Sequence, residues 1–176
     1  MAAFSLTTAS AEETSRVGAA LGALLRDGDV VTLVGELGAG KTQFSQGVGR
    51  GLGLACDIPS PTFNIVFEYG DGRIMLYHFD LYRLEHADEL EDIDFFALVD
   101  ASTPGASLIE WADRFPNELP DDRLEVSLFY GEAKEDAAMV SAYETDRAAR
   151  RISACATGPR SQELLSQWCG CLDAAS

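Results

Sequence analysis

Val30-Val31-Thr32-Leu33-Val34 runs directly into Gly35-Glu36-Leu37-Gly38-Ala39-Gly40-Lys41-Thr42. The first five residues are apolar and mostly β-branched, the composition of a buried parallel strand. The next eight are a complete Gly-x-x-x-x-Gly-Lys-Thr motif. Its glycines permit backbone angles and close approaches that a side chain would block. The backbone N–H groups from Glu36 through Leu37, Gly38, Ala39, Gly40 and Lys41 to Thr42 can then turn toward phosphate oxygens. In this motif Lys41 reaches the β- and γ-phosphates and the Thr42 hydroxyl holds a Mg²⁺ ion. Gln43 to Leu52 carries Phe44 and Val48 four apart, the spacing of one buried helix face. The N-terminus of that helix adds its positive end to the same site. Strand, loop and helix stand in the order a phosphate-binding loop needs, and a plain glycine-rich turn would not require the Lys-Thr pair.

The surrounding sequence extends this unit in both directions. Phe4 to Thr7 reads as a short strand. Ser10 and Glu13 fit a capping box, with Ser10 capping the helix and Glu13 returning the bond. Val17, Ala20, Leu21, Leu24 and Leu25 form the apolar face of that helix. Asp27-Gly28-Asp29 then turns the chain into the strand at Val30. Gly47, Gly49, Gly51 and Gly53 are expected to weaken the end of the second helix. Pro59-Ser60-Pro61 enforces extended backbone. Asn64 to Tyr69 and Arg73 to Phe79 read as a hairpin about Gly70-Asp71-Gly72, and Glu85 to Asp94 as a short acidic helix. Arg123 to Tyr130 alternates as a strand, Ala148 to Ala156 is placed to pair with it, and Ser161 to Leu172 has a helical pattern. Gly131 to Asp146, rich in small and charged residues, reads as a mobile loop.

The resulting fold class is α/β: a sheet of mixed strand direction flanked by helices, in one domain spanning residues 1–176. The length is enough for a proper core. No apolar run approaches a membrane span, and Met1 to Leu6 lacks a secretion signal, so a cytoplasmic location follows by default. The four cysteines match no zinc or redox spacing, which favours reduced thiols. Thirteen Lys and Arg against 29 Asp and Glu give a net charge of −16. That surface disfavours nonspecific nucleic acid binding. It suits a partner with a basic face, or simply solubility.

Two further places offer an acid at the end of an apolar strand, Leu76-Tyr77-His78-Phe79-Asp80 and Leu108-Ile109-Glu110. Ligands gather outside the carboxyl ends of parallel strands, so either acid is a candidate for work beside a metal. No Asn-Lys-x-Asp sequence appears, which argues against a standard GTPase. A P-loop small-molecule or nucleoside kinase is the alternative, weakened by the lack of an obvious acceptor-binding domain.

Taken together, Gly-Glu-Leu-Gly-Ala-Gly-Lys-Thr at 35–42, Ser-Pro-Thr-Phe at 60–63, Tyr-His-Phe-Asp-Leu-Tyr-Arg-Leu at 77–84, Glu89-Leu90-Glu91 and Ile-Glu-Trp-Ala-Asp-Arg at 109–114 occur in a family-specific order. Pro120 before Arg123-Leu124-Glu125-Val126 adds to the series. The chain resembles the TsaE family, bacterial ATPases of tRNA threonylcarbamoyladenosine synthesis, from about residue 10 to residue 130. The strand-helix tail after 130 departs from the family pattern.

The resemblance implies a P-loop NTPase-like fold, Mg²⁺-dependent ATP hydrolysis with low intrinsic activity, and binding to the TsaD–TsaB heterodimer, which carries out the threonylcarbamoyl transfer itself. It implies that Lys41 and the backbone of Glu36 to Thr42 hold phosphates. Thr42 and Glu110 become the Mg²⁺ ligands, directly or through water. Thr62 becomes a switch-like element near the γ-phosphate, and Asp80 orients water or a magnesium-bound water. Trp111 packs beside the nucleotide, faces a partner or fills the core. Thr14 matches a position near the nucleotide, with a helix-surface threonine as the alternative. His78 packs or hydrogen-bonds next to Asp80. Tyr82 and Arg83 are candidates for partner contact, with a surface ion pair as the other role for Arg83.

Overall fold

Val30–Val34 forms the central strand β2 of a seven-stranded sheet. The computed structural model describes residues 3–55, 58, 64–130 and 149–174. The Pro59-Ser60-Pro61 and Ser-Pro-Thr-Phe segments, Thr62 with them, and the loop from Gly131 to Asp146 lie outside the described residues. Strand β2 is flanked by β5 (Ala106–Glu110) and β6 (Leu124–Tyr130), parallel to both. Strand β4 (Leu76–Asp80) runs parallel outside β5, and β3 (Val66–Tyr69) closes that edge antiparallel to β4. On the other side β7 (Arg150–Ala156) pairs antiparallel with β6, and β1 (Ala3–Thr8) pairs antiparallel with β7. The order is β1-β7-β6-β2-β5-β4-β3, the mixed sheet expected from the sequence.

The run Val30–Val34 is apolar but for the buried Thr32 because β2 is covered on both faces. On one face α1 (Ala11–Gly22), α2 (Lys41–Leu52) and α4 (Pro159–Asp173) bury Leu21, Phe44, Val48, Leu164 and Trp168 against Val31, Leu33 and Val126. Trp168 ties the three helices together. Its ring meets Phe44 edge-on at 5.9 Å and its Nε1–H donates to Val17 O at 3.1 Å. On the opposite face, a 3₁₀ turn at Ala87–Ile93 and the short α3 (Phe95–Leu98) bury Leu90 and Phe95 against Val30, Phe79 and Ile109.

Several local expectations change in detail. Ser10 Oγ accepts from Glu13 N at 3.1 Å, but Glu13 Oε2 returns its bond to Ala9 N, one residue earlier than a standard box. Strand β4 starts only at Leu76, so the hairpin loop is wider than the turn residues suggest. The extra length lets Arg73 Nη2 reach the carbonyls of Gly22, Ala23 and Leu25, at the carboxyl end of α1. A cation there offsets the negative end of the helix dipole.

The glycines of α2 do not weaken it. The helix runs unbroken to Leu52 and ends at Gly53 in the left-handed conformation, φ 80°. A Cβ on Gly47 or Gly51 would strike the carbonyl oxygen of Ser15 or Ala19 in α1, and one on Gly18 or Gly22 would strike that of Phe44 or Val48 in α2. The two helices therefore meet backbone to backbone, and packing outweighs the propensity cost of each glycine. Gly22→Ala should lower the unfolding free energy by about 1–3 kcal/mol, the usual cost of overpacking. Urea denaturation checks this, and an unchanged midpoint would contradict the close contact.

Candidate functional site

Strands β2, β5 and β4 are parallel, so all three deliver their carboxyl ends to one edge of the sheet. In the register, Leu33 stands beside Glu110 and Glu110 beside Asp80. The two acids, separate candidates in the sequence, are therefore neighbours. The loop after β2 folds over the same edge with Gly38 at φ 82° and Gly40 at φ 104°, a region costly for any residue with a side chain. Gly40 is the N-cap of α2 and supplies no side-chain hydrogen bond to the first turn. A Ser or Asp there would take up one of the turn's free N–H groups, and glycine leaves them for an anion.

Lys41 opens α2 and is only 5% exposed. Its Nζ donates to Gly35 O at 2.6 Å and to Glu36 O at 3.0 Å, and lies 3.7 Å from the centre of the Trp111 ring. Burial draws the ammonium below the ordinary lysine range, although Glu110, Asp80 and Asp113 pull it back up. The lysine is thus a desolvated cation with several acids close by, a common condition in functional sites. Trp111 itself holds a left-handed backbone at φ 58°, unusual for a bulky residue. Its N–H donates to Leu33 O at 3.0 Å, and its ring lies 4.8 Å from that of Tyr82. The Trp111 ring lies over Lys41 and is partly buried, packed against the core cluster of Phe79, Phe95 and Ile109.

Glu110 is 2% exposed. Its Oε1 accepts from Ser45 Oγ at 2.6 Å and lies 3.0 Å from His78 Nε2. Burial alone would raise this carboxyl, but His78, Ser45 and Lys41 together bring it below the usual glutamate range. Asp80 goes the other way. Its burial pushes it up and the nearby Glu110 adds to that, against the bond that Tyr82 N donates to its Oδ1 at 2.9 Å. Of the two roles expected for His78, packing or hydrogen bonding, the structure shows a hydrogen bond, with Glu110 on the neighbouring strand as partner. Thr42 follows Lys41 in the first turn of α2 and is partly exposed.

Thr14 is fully buried, so the helix-surface alternative does not hold. Its Oγ1 pairs with Thr8 Oγ1 at 2.8 Å and donates to Ser10 O at 3.1 Å. It sits under the loop: a Cβ on Gly40 would stand 3.7 Å from Thr14 Cγ2 and 2.8 Å from Arg150 Cδ. Arg150, 3% exposed at the start of β7, is a buried cation beside the loop that the sequence reading missed. The sequence reading also missed Ser45 and the exposed Tyr130, whose hydroxyl donates to Leu37 O at 3.1 Å. The phosphate-binding stretch hinted only at Ser45, one helical turn after Lys41. Leu37 and Tyr82 are both exposed at this edge. The donor set suits a magnesium nucleotide: free helix amides and a buried ammonium for phosphate oxygens, a hydroxyl and two carboxylates for a hard cation.

Comparison with known proteins agrees in family and in fold. Residues 8–138 match the family model described as threonylcarbamoyl adenosine biosynthesis protein TsaE. The chain is 43% identical to a tRNA threonylcarbamoyladenosine biosynthesis protein TsaE of Bacillus subtilis over 119 residues, 68% of this chain and 73% of the relative. It is 43% identical to that of a Nostoc species over 125 residues, 70% of this chain and 76% of the relative. The crystal structure of Bacillus subtilis YdiB superposes with a TM-score of 0.70 at 33% identity, covering 95% of this chain and 94% of that one.

Proposed function

The chain belongs to the TsaE family, and from that premise we propose that it is a Mg²⁺-dependent ATPase acting in the cytoplasm as an accessory to the TsaD–TsaB pair in tRNA threonylcarbamoyladenosine synthesis. One observation carries the reading: Lys41, Glu110 and Asp80 converge at the uncapped N-terminus of α2. The first-turn amides and Lys41 bind the phosphates. Lys41 leaves the Gly35 and Glu36 carbonyls to do so, exchanging two backbone acceptors for charged ones. Thr42 and Glu110 would hold the metal, which when bound would supply positive charge to offset that of the phosphate oxygens. Asp80, pushed up toward protonation, orients the attacking water and accepts its proton. Trp111 covers Lys41, with the exposed Tyr82 packed beside its ring.

Phosphate release from Mg-ATP, measured with and without TsaD–TsaB, tests the proposal. Slow release by the purified chain that rises when the pair is added is the expected result. Release indifferent to the pair would remove the accessory role, and a phosphorylated small molecule in place of free phosphate would make the protein a kinase.

A further inference from the structure

The metal reading above uses Glu110 but leaves two of its neighbours without a task. Ser45 sits on α2 one turn beyond Lys41, facing the sheet, and is fully buried. Its Oγ lies 3.0 Å from Lys41 O in its own helix, yet only 2.6 Å from Glu110 Oε1. His78, also fully buried, lies on β4 two residues before Asp80 and so on the same face of the strand. Its Nε2 lies 3.0 Å from the same Oε1. An ionised carboxylate only accepts, so the proton of this imidazole is on Nε2 and both contacts are donations.

Both donations fall on one oxygen and arrive from different elements, a helix above the sheet and the neighbouring strand within it. Among the described residues Glu110 Oε2 receives no hydrogen bond. A glutamate at the end of a strand has three side-chain torsions, and two fixed donors on one oxygen remove that freedom before any ligand arrives.

We propose that Ser45 and His78 are positioning residues that hold Glu110 by Oε1, so that Oε2 is presented ready for the metal. This rests on the reading of Glu110 as a metal ligand. Partners that orient a ligating carboxylate typically contribute ten- to a hundredfold in metal affinity. The device also gives a role to a serine and a histidine that are both fully buried. Ser45 Oγ and His78 Nε2 each find an acceptor in the carboxylate, while His78 Nδ1 has no hydrogen-bond partner among the described residues.

The test measures Mn²⁺ affinity by electron paramagnetic resonance in the presence of a non-hydrolysable ATP analogue. Affinity for the same analogue in EDTA serves as the metal-free reference. Ser45→Ala and His78→Leu are each expected to weaken Mn²⁺ binding by about tenfold or more, with analogue affinity in EDTA unchanged. Ser45→Thr and His78→Gln keep a donor at each place and should restore most of the loss. Should His78→Leu not fold, Ser45→Ala carries the test, since it removes a single oxygen. Glu110→Gln separates the two layers of the argument. Wild-type Mn²⁺ affinity in that variant would overturn the metal reading together with the positioning. Lost affinity in Glu110→Gln with wild-type affinity in Ser45→Ala and His78→Leu would overturn the positioning alone.

Discussion

Lys41→Ala is expected to reduce phosphate release from Mg-ATP by at least about a hundredfold, the usual cost of losing a preorganised charge at a developing anion. The argument starts from what the lysine does without a nucleotide. Its ammonium is buried, bonded to the Gly35 and Glu36 carbonyls, and set over the Trp111 ring. Burial lowers its pKa, so the fold holds this charge at a cost. Charges kept at such cost cluster at ligand sites. The variant should therefore lose turnover without a comparable loss of stability, and the two are separated by pairing the phosphate assay with urea denaturation. Normal turnover in Lys41→Ala would defeat the assignment of the loop. Lost turnover with an equal collapse of the denaturation midpoint would mean that the lysine serves the fold.

What was legible in the sequence was what is local in the chain. The strand at Val30, the glycine loop and the helix after it are contiguous, so composition and spacing reveal them together. The pairing of Ala148 to Ala156 with the alternating strand Arg123 to Tyr130 was also anticipated, and it is seen between Arg150–Ala156 and Leu124–Tyr130. The acids were visible one at a time, each at a strand end. That Asp80 and Glu110 are neighbours depends on β4 and β5 being adjacent and in register, which no local pattern encodes. The same limit hid Ser45, Tyr130 and Arg150, whose partners lie tens of residues away. The glycines of α2 were misread for a related reason. Helix propensity counts each glycine as a local cost, whereas Gly47 and Gly51 answer to the backbone of α1. His78 was expected to pack or hydrogen-bond, but that its partner is Glu110 on the next strand depends on the same pairing.

Glu110→Gln is the second substitution with a large expected effect, and its value lies in what it keeps. The glutamine carbonyl still accepts from Ser45 and His78, so neither buried donor is orphaned and the local structure should persist. Only the charge goes. Mg²⁺-dependent phosphate release should fall by about a hundredfold, while nucleotide affinity in EDTA stays within a few-fold of wild type. The choice of Glu110 over Asp80 as the metal ligand, implied by the family resemblance, is consistent with how their surroundings push them apart. Glu110 is held below the ordinary carboxylate range and Asp80 above it. A pair split in this way assigns its own roles: the ionised member suits a cation and the more basic member suits a proton. Removing the Glu110 charge also takes a like-charged neighbour from Asp80, whose pKa should fall in response. The matching Asp80→Asn variant should then slow turnover at saturating Mg²⁺ without changing the Mg²⁺ concentration needed for half-maximal rate. If Asp80→Asn shifts that concentration and Glu110→Gln does not, the two carboxylates have the opposite roles.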